Sequence, residues 1–237
     1  MSALDLWVYL STSPLLWLTA TLAAYAAADR LSVALNRNPL ANPVLVAVIL
    51  LVSLLFVSDT PFPVYFEGAQ FVHFMLGPAT VALAVPLMQN FAQVRKNLVP
   101  MAAALLIGSM TAVSSAVAVA WLLGADMTLI ASIAPKSVTT PIAMGISERL
   151  GGLPAVTAIL VILTGIIGAI VVTPLMDRAG VHDWAARGFA AGVAAHGIGT
   201  ARAFLVNPLA GTFAGIGMGL NGVVTALILA VALSLLQ

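Results

Sequence analysis

Apolar and polar positions along this chain fall into blocks instead of alternating. Leu6–Ala28 runs 23 residues without a charged side chain, Asn38–Ser58 runs 21, Asn97–Ala125 runs 29, Leu150–Met176 runs 27 and Ala203–Gln237 runs 35. As a helix rising 1.5 Å per residue, each block is long enough to cross about 30 Å of hydrocarbon. The period of two that marks a barrel strand is missing, so the blocks predict helices.

Three further segments are apolar but interrupted. Tyr65–Asn90 holds Leu76-Gly77-Pro78-Ala79-Thr80 near its middle. Met127–Leu150 holds Ala134-Pro135-Lys136-Ser137-Val138-Thr139-Thr140-Pro141, and Trp184–Val206 holds His196-Gly197-Ile198-Gly199-Thr200-Ala201-Arg202. Proline and glycine free backbone groups, which at membrane depth must be buried in protein or line a cavity. The pattern therefore predicts an all-α, polytopic membrane protein of about eight hydrophobic segments. Broken or re-entrant segments would form a central site.

A shift of 120 places Gly77-Pro78-Ala79-Thr80 on Gly197-Ile198-Gly199-Thr200 and Thr19 on Thr139. A shift of 119 places Asp29-Arg30-Leu31 on Glu148-Arg149-Leu150. These offsets agree within one residue and predict a duplication, with 1–120 and 121–237 as two four-element transmembrane repeats. If the third element of each repeat crosses, the halves run parallel; if it is a re-entrant hairpin, they are inverted. Both arrangements stay open at this level. If all eight segments cross, the connections bearing Arg30 and Arg37, and Arg95 and Lys96, share one face. That face would be cytoplasmic, with the N-terminus and Asp5 outside.

Composition supports the membrane reading and narrows the chemistry. The chain is 62% hydrophobic and 7% charged with mean hydropathy +1.12, whereas a soluble domain is roughly 25% charged. Its net charge of +1 gives no electrostatic footprint for nucleic acid. Cysteine is absent, which removes disulfides and thiolate chemistry. No basic n-region precedes the first apolar run, so a cleaved signal peptide is not expected. HExxH, GxSxG and phosphate-loop motifs are missing and no span holds paired carboxylates. Neither an enzyme nor a cofactor is expected.

The candidate chemistry lies at the breaks. Lys136 stands between Pro135 and Pro141 with Ser137, Thr139 and Thr140 beside it. A lysine at membrane depth costs about 2.5–3.5 kcal/mol on insertion scales and tends to face a cavity. With neighbouring hydroxyls and a helix N-terminus it makes an anion site. The competing reading is a lysine that snorkels to the headgroups. At the second break His196, Gly197, Gly199 and Thr200 let backbone approach a ligand, and Arg202 offers a fork suited to a carboxylate; a tight turn with a surface arginine is the alternative. Gly77 and Thr80 occupy the matching repeat position. Lys136 and Arg202 are expected to share one small anion. His73 is more simply a packing residue, and Asp177 to Arg187 read as scaffolding.

Three of these stretches carry a resemblance. Ala134–Met144, Ala195–Ala203 and Leu76–Pro86 closely resemble the signature stretches of the LrgB/CidB family, and with the matching length the resemblance covers nearly the whole chain. It implies a multi-pass protein of the bacterial inner membrane. Family members are described as antiholin- or holin-like regulators of murein hydrolase export, paired with a small membrane protein of the LrgA/CidA type. A plant relative moves glycolate and glycerate, and some bacterial relatives are tied to pyruvate. The cations at the breaks favour transport of a small monocarboxylate of this class, and such transporters commonly pair as homodimers.

Overall fold

A computed structural model describes residues 13–236, in which every regular element is helical. In chain order these are α1 (Pro14–Ala34), a 3-10 turn (Pro39–Ala41), α2 (Pro43–Val57), α3 (Phe62–Phe74), α4 (Leu76–Ala82), α5 (Ala84–Gln89) and α6 (Phe91–Lys96). They continue with α7 (Leu98–Leu122), α8 (Met127–Ile133), α9 (Thr140–Arg149), α10 (Pro154–Arg178), α11 (Trp184–Val206) and α12 (Pro208–Leu236). The early positions of the expected span Leu6–Ala28, with Asp5, lie outside the described residues. Among the described residues, five helical stretches are long and apolar enough to cross a membrane: Phe62–Gln89, Leu98–Leu122, Pro154–Arg178, Trp184–Val206 and Pro208–Ser234.

Local sequence sets the helix starts. Pro14, Pro43, Pro154 and Pro208 open their helices, where a missing N–H costs nothing. Asn42, Asp126, Asp183 and Asn207 cap the amides that follow them.

The chain forms two compact units, Met1–Ala84 and Val85–Gln237. In the first, α1 packs on α2 and α3. Trp17 is buried and meets Tyr65 edge-on, with ring centroids 6.0 Å apart, and the Thr21 hydroxyl donates to the Tyr65 oxygen at 3.2 Å. Gly68 lets α3 lie against the Pro14 carbonyl and Trp17. Arg37 pairs with Asp29 across the turn that closes α1.

The expected break at Leu76–Thr80 is displaced. Those residues are helical, and the interruptions fall at Met75 and Leu83. A proline cannot donate to the carbonyl four residues earlier and crowds it. Pro78 thus ends α3 at Phe74, and Pro86 ends α4 at Ala82.

In the second unit α7 and α12 run parallel. Leu105 and Phe213 share one apolar cluster, Ser109 bonds Asn221, and Val113 and Leu229 share another cluster. Two elements between them turn back. The Thr157 hydroxyl reaches the Ser132 carbonyl (3.0 Å) and the Ser147 hydroxyl (2.7 Å). A straight helix would hold Ser132 and Ser147 about 22 Å apart. Met127–Leu150, read from sequence as either a broken span or a re-entrant segment, is therefore a hairpin of α8 and α9.

Trp184–Val206 is a hairpin as well, although its length suits a crossing. Ala195 (φ −126°, ψ 16°) and His196 (φ 41°, ψ −132°) leave the helical region. A Cβ at Gly199 would lie 2.6 Å from the Ala191 carbonyl oxygen, where a straight helix would separate the two residues by about 12 Å. The first hairpin enters from the end where α7 finishes. The second enters from the end where α7 starts, and α10 connects their bases.

Candidate functional site

The two hairpin tips meet halfway along the long helices of the second unit. Tip 1 is the non-helical stretch Ala134–Thr139, which Pro135 and Pro141 keep from closing into helix. Tip 2 is Ala195–His196. Ser109 of α7, Gly165 of α10 and Asn221 of α12 each stand one residue before the centre of their helix. All three face this layer.

Asn221, fully buried, fastens the layer. Its Nδ2 donates to the Ser137 carbonyl in tip 1 (2.9 Å) and to the Val193 carbonyl beside tip 2 (3.0 Å). Its Oδ1 accepts from Ser109 (2.6 Å) and Thr225 (3.1 Å). Val193 would bond the Gly197 amide in an unbroken helix, and the kink frees its carbonyl for the asparagine. All four hydrogen-bonding positions of one amide are filled.

His196 is 4% exposed, and its Nε2 donates to the Val161 carbonyl of α10 at 2.9 Å. Gly165 makes room for the ring, since a Cβ there would come within 2.7 Å of it. The Thr200 hydroxyl donates back to the His196 carbonyl at 2.8 Å, and Gly197 faces the Met218 sulfur.

Lys136 is half-buried on tip 1. Its Nζ lies 3.5 Å from the Ser137 hydroxyl. Thr139 and Thr140, also half-buried, start α9. An ammonium, hydroxyls and the N-terminus of α9 surround a helix break. This donor set suits a small anion and has no built nucleophile–base pair.

The structure therefore gathers Lys136, Ser137, His196, Gly197 and Thr200 around one layer. Arg202 stands six residues down the returning arm of α11. It is 6% exposed, in a crevice lined by Thr173, Trp184, Arg187 and Gly188 that does not include Lys136. Arg187 there pairs with Asp177 at 2.6 Å and stacks over Trp184. Gly199 serves the hairpin fold itself. Gly77 lies in α4 of the first unit with open space around it, and the Thr80 side chain is outside the described residues. His73 is on the exposed face of α3 against Phe66.

Sequence reasoning missed Asn221, Ser109 and Thr157. The available signal was an asparagine well inside the charge-free run Ala203–Gln237, where a polar side chain needs partners. Among the described residues no three His, Cys, Asp or Glu side chains come together as a metal site.

Comparison with known proteins gives a consistent family. The model of the LrgB-like family matches residues 21–235. The uncharacterized protein YwbG of Bacillus subtilis is 39% identical over 184 residues, covering 78% of this chain and 82% of its own length. The holin-like protein CidB of Staphylococcus epidermidis is 31% identical over 199 residues, covering 84% and 87%. The antiholin-like protein LrgB of Bacillus mycoides is 31% identical over 188 residues, covering 79% and 82%. No solved structure matches.

Proposed function

We propose, from the premise that this chain belongs to the LrgB-like family, that it is a holin- or antiholin-like membrane protein that works by carrying a small monocarboxylate across a bacterial inner membrane. Glycolate, glycerate, lactate and pyruvate have the required size and charge. One observation carries the transport reading: a single ammonium, Lys136, at a helix break in a layer midway along three long helices. Transporter sites form at such depths from broken helices. The Ser137, Thr139 and Thr140 hydroxyls would hold the carboxylate and Lys136 would neutralise it.

The relatives' names favour the other half of the reading, in which the chain regulates murein hydrolase export and lysis beside an LrgA/CidA-type partner. The two join if carboxylate flux alters the proton gradient. Duplication into 1–120 and 121–237, eight segments in all and a homodimer belong to this proposal.

Orientation follows from the basic residues of the second unit. Arg95, Lys96, Arg178 and Arg187 lie at the end where α7 starts, and Arg149 lies at the other end. The first end is then cytoplasmic.

Uptake or exchange of the four labelled acids by the purified chain in proteoliposomes tests the proposal. Saturable flux is expected. Lys136→Gln should raise the half-saturation concentration at least tenfold at unchanged accumulation, because a charged hydrogen bond contributes about 1.5–3 kcal/mol. Absence of flux for all four acids, with altered hydrolase export in cells, would leave only the regulator role.

A further inference from the structure

Two grooves approach the tip layer of the second unit from opposite ends. One, of about 400 Å³, is lined by Asn97, Ala104, Gly108, Asp183, Ala190 and Val193. It opens where α7 and α11 begin and runs up to the layer at Val193, whose carbonyl Asn221 holds, with Ala112 and Ala194 lining its inner end. The other, of about 390 Å³, is lined by Pro141, Ile142, Arg149, Ala226, Leu229 and Leu233. It opens where α9 ends and closes at Ala226, next to the Thr225 that bonds Asn221. Phe213, in the first groove, and Ala226, in the second, flank Asn221 along α12. Either volume holds a hydroxy acid of two or three carbons with room for water.

We propose that the grooves are opposed approaches to one barrier, and that Asn221 is its positioning residue, keeping them apart by clasping the Ser137 carbonyl in tip 1 and the Val193 carbonyl beside tip 2. The two donors of one amide hold two hairpins that enter from opposite faces. Releasing one carbonyl loosens one tip and leaves the other fastened, so that a small carboxylate reaches the layer from one side at a time. This inference rests on the transport reading for its ligand, but its test reads accessibility instead of flux.

The native chain has no cysteine, so single cysteines report cleanly. Ala190→Cys and Ala226→Cys would be made in the full chain and treated with a membrane-impermeant maleimide in spheroplasts and in inverted vesicles. With Asn221 in place, each cysteine should react at least tenfold faster from one face, and the faces should be opposite. With Asn221→Ser or Asn221→Leu, the preference of both should fall below about threefold. Both cysteines reacting from the same face overturns the proposal. So does an unchanged preference in an Asn221 variant that accumulates and elutes like the native protein. If neither variant accumulates, the faces of labelling in the native background still decide whether the grooves are opposed. Opposed labelling without flux removes the carboxylate reading and keeps the clasp, and flux without opposed labelling removes the clasp alone.

Discussion

The two hairpins reach the same layer but are held shut by different forces. In the first, α8 and α9 are joined by hydroxyls. Thr157 links Ser132 to Ser147, and the Ser132 hydroxyl accepts from the Leu153 amide at 2.8 Å. In the second, the arms of α11 close through small residues. Gly199 lies on Ala191, Gly168 of α10 lies on Ala195, and Gly188 and Gly192 seat the Ala210 and Ala214 backbone of α12. Hydrogen bonds can be exchanged one at a time with water or ligand, whereas backbone-to-backbone packing is lost all at once. The first hairpin, which carries Lys136, combines its hydroxyl links with a single close backbone approach, that of Gly152 to Ala131 and Ser132.

The contrast breaks most visibly at Gly192. A Cβ there runs into the Ala214 carbonyl, and both sides of the contact are backbone. Gly192→Leu should destabilise the detergent-solubilised protein at or above the upper end of the ~1–3 kcal/mol typical of overpacked cores, read as lost folded protein in a thermal unfolding series. A Tm within a degree of native would remove packing as the force that closes the second hairpin.

A smaller effect is expected in the first hairpin. Thr157→Val keeps shape but leaves Ser147 without its partner hydroxyl, costing about 1–3 kcal/mol. Thr157→Ser should restore most of the loss. Equal stability of the Val and Ser variants would show that shape, and not the hydroxyl, holds α8 to α9.

The smallest effect sharpens the comparison from outside. A shift of 120 places Gly77 on Gly197, yet a Cβ at Gly77 meets nothing within 4 Å. Gly77→Ala should be neutral or stabilise α4 by up to about 1 kcal/mol. Gly199→Ala in the same assay should destabilise, because its Cβ would lie 2.6 Å from the Ala191 oxygen. Loss of stability in the Gly77 variant would mean that α4 has a close neighbour.

Much of this was legible because proline and glycine act locally. Pro135 and Pro141 bracket the first tip where the chain predicts it, and His196 turns the second one residue before Gly197. What pattern reading lacked was direction: no local rule says whether a break bends a span or reverses it, so Met127–Leu150 could be a broken span or a re-entrant segment. Reversal depends on distant partners such as Thr157 for the first hairpin and Ala214 for the second. Asn221 was hidden for a related reason. Its role is set by carbonyls that are free only once both tips have formed, and no spacing rule encodes them.

The reversal at His196 also matters for how the protein is made. Trp184–Val206 is long and apolar enough to be threaded through the bilayer as an ordinary span, and the contacts that fold it back onto α12 come from Ala210, Ala214 and Asn221, all synthesised after it. A ribosome that has just finished Val206 holds a chain whose correct insertion depends on residues not yet translated. Reporter enzymes fused at Asn207 and at the end of α12 should therefore disagree about the parity of the preceding crossings. A topology map drawn only from truncations would count one span too many.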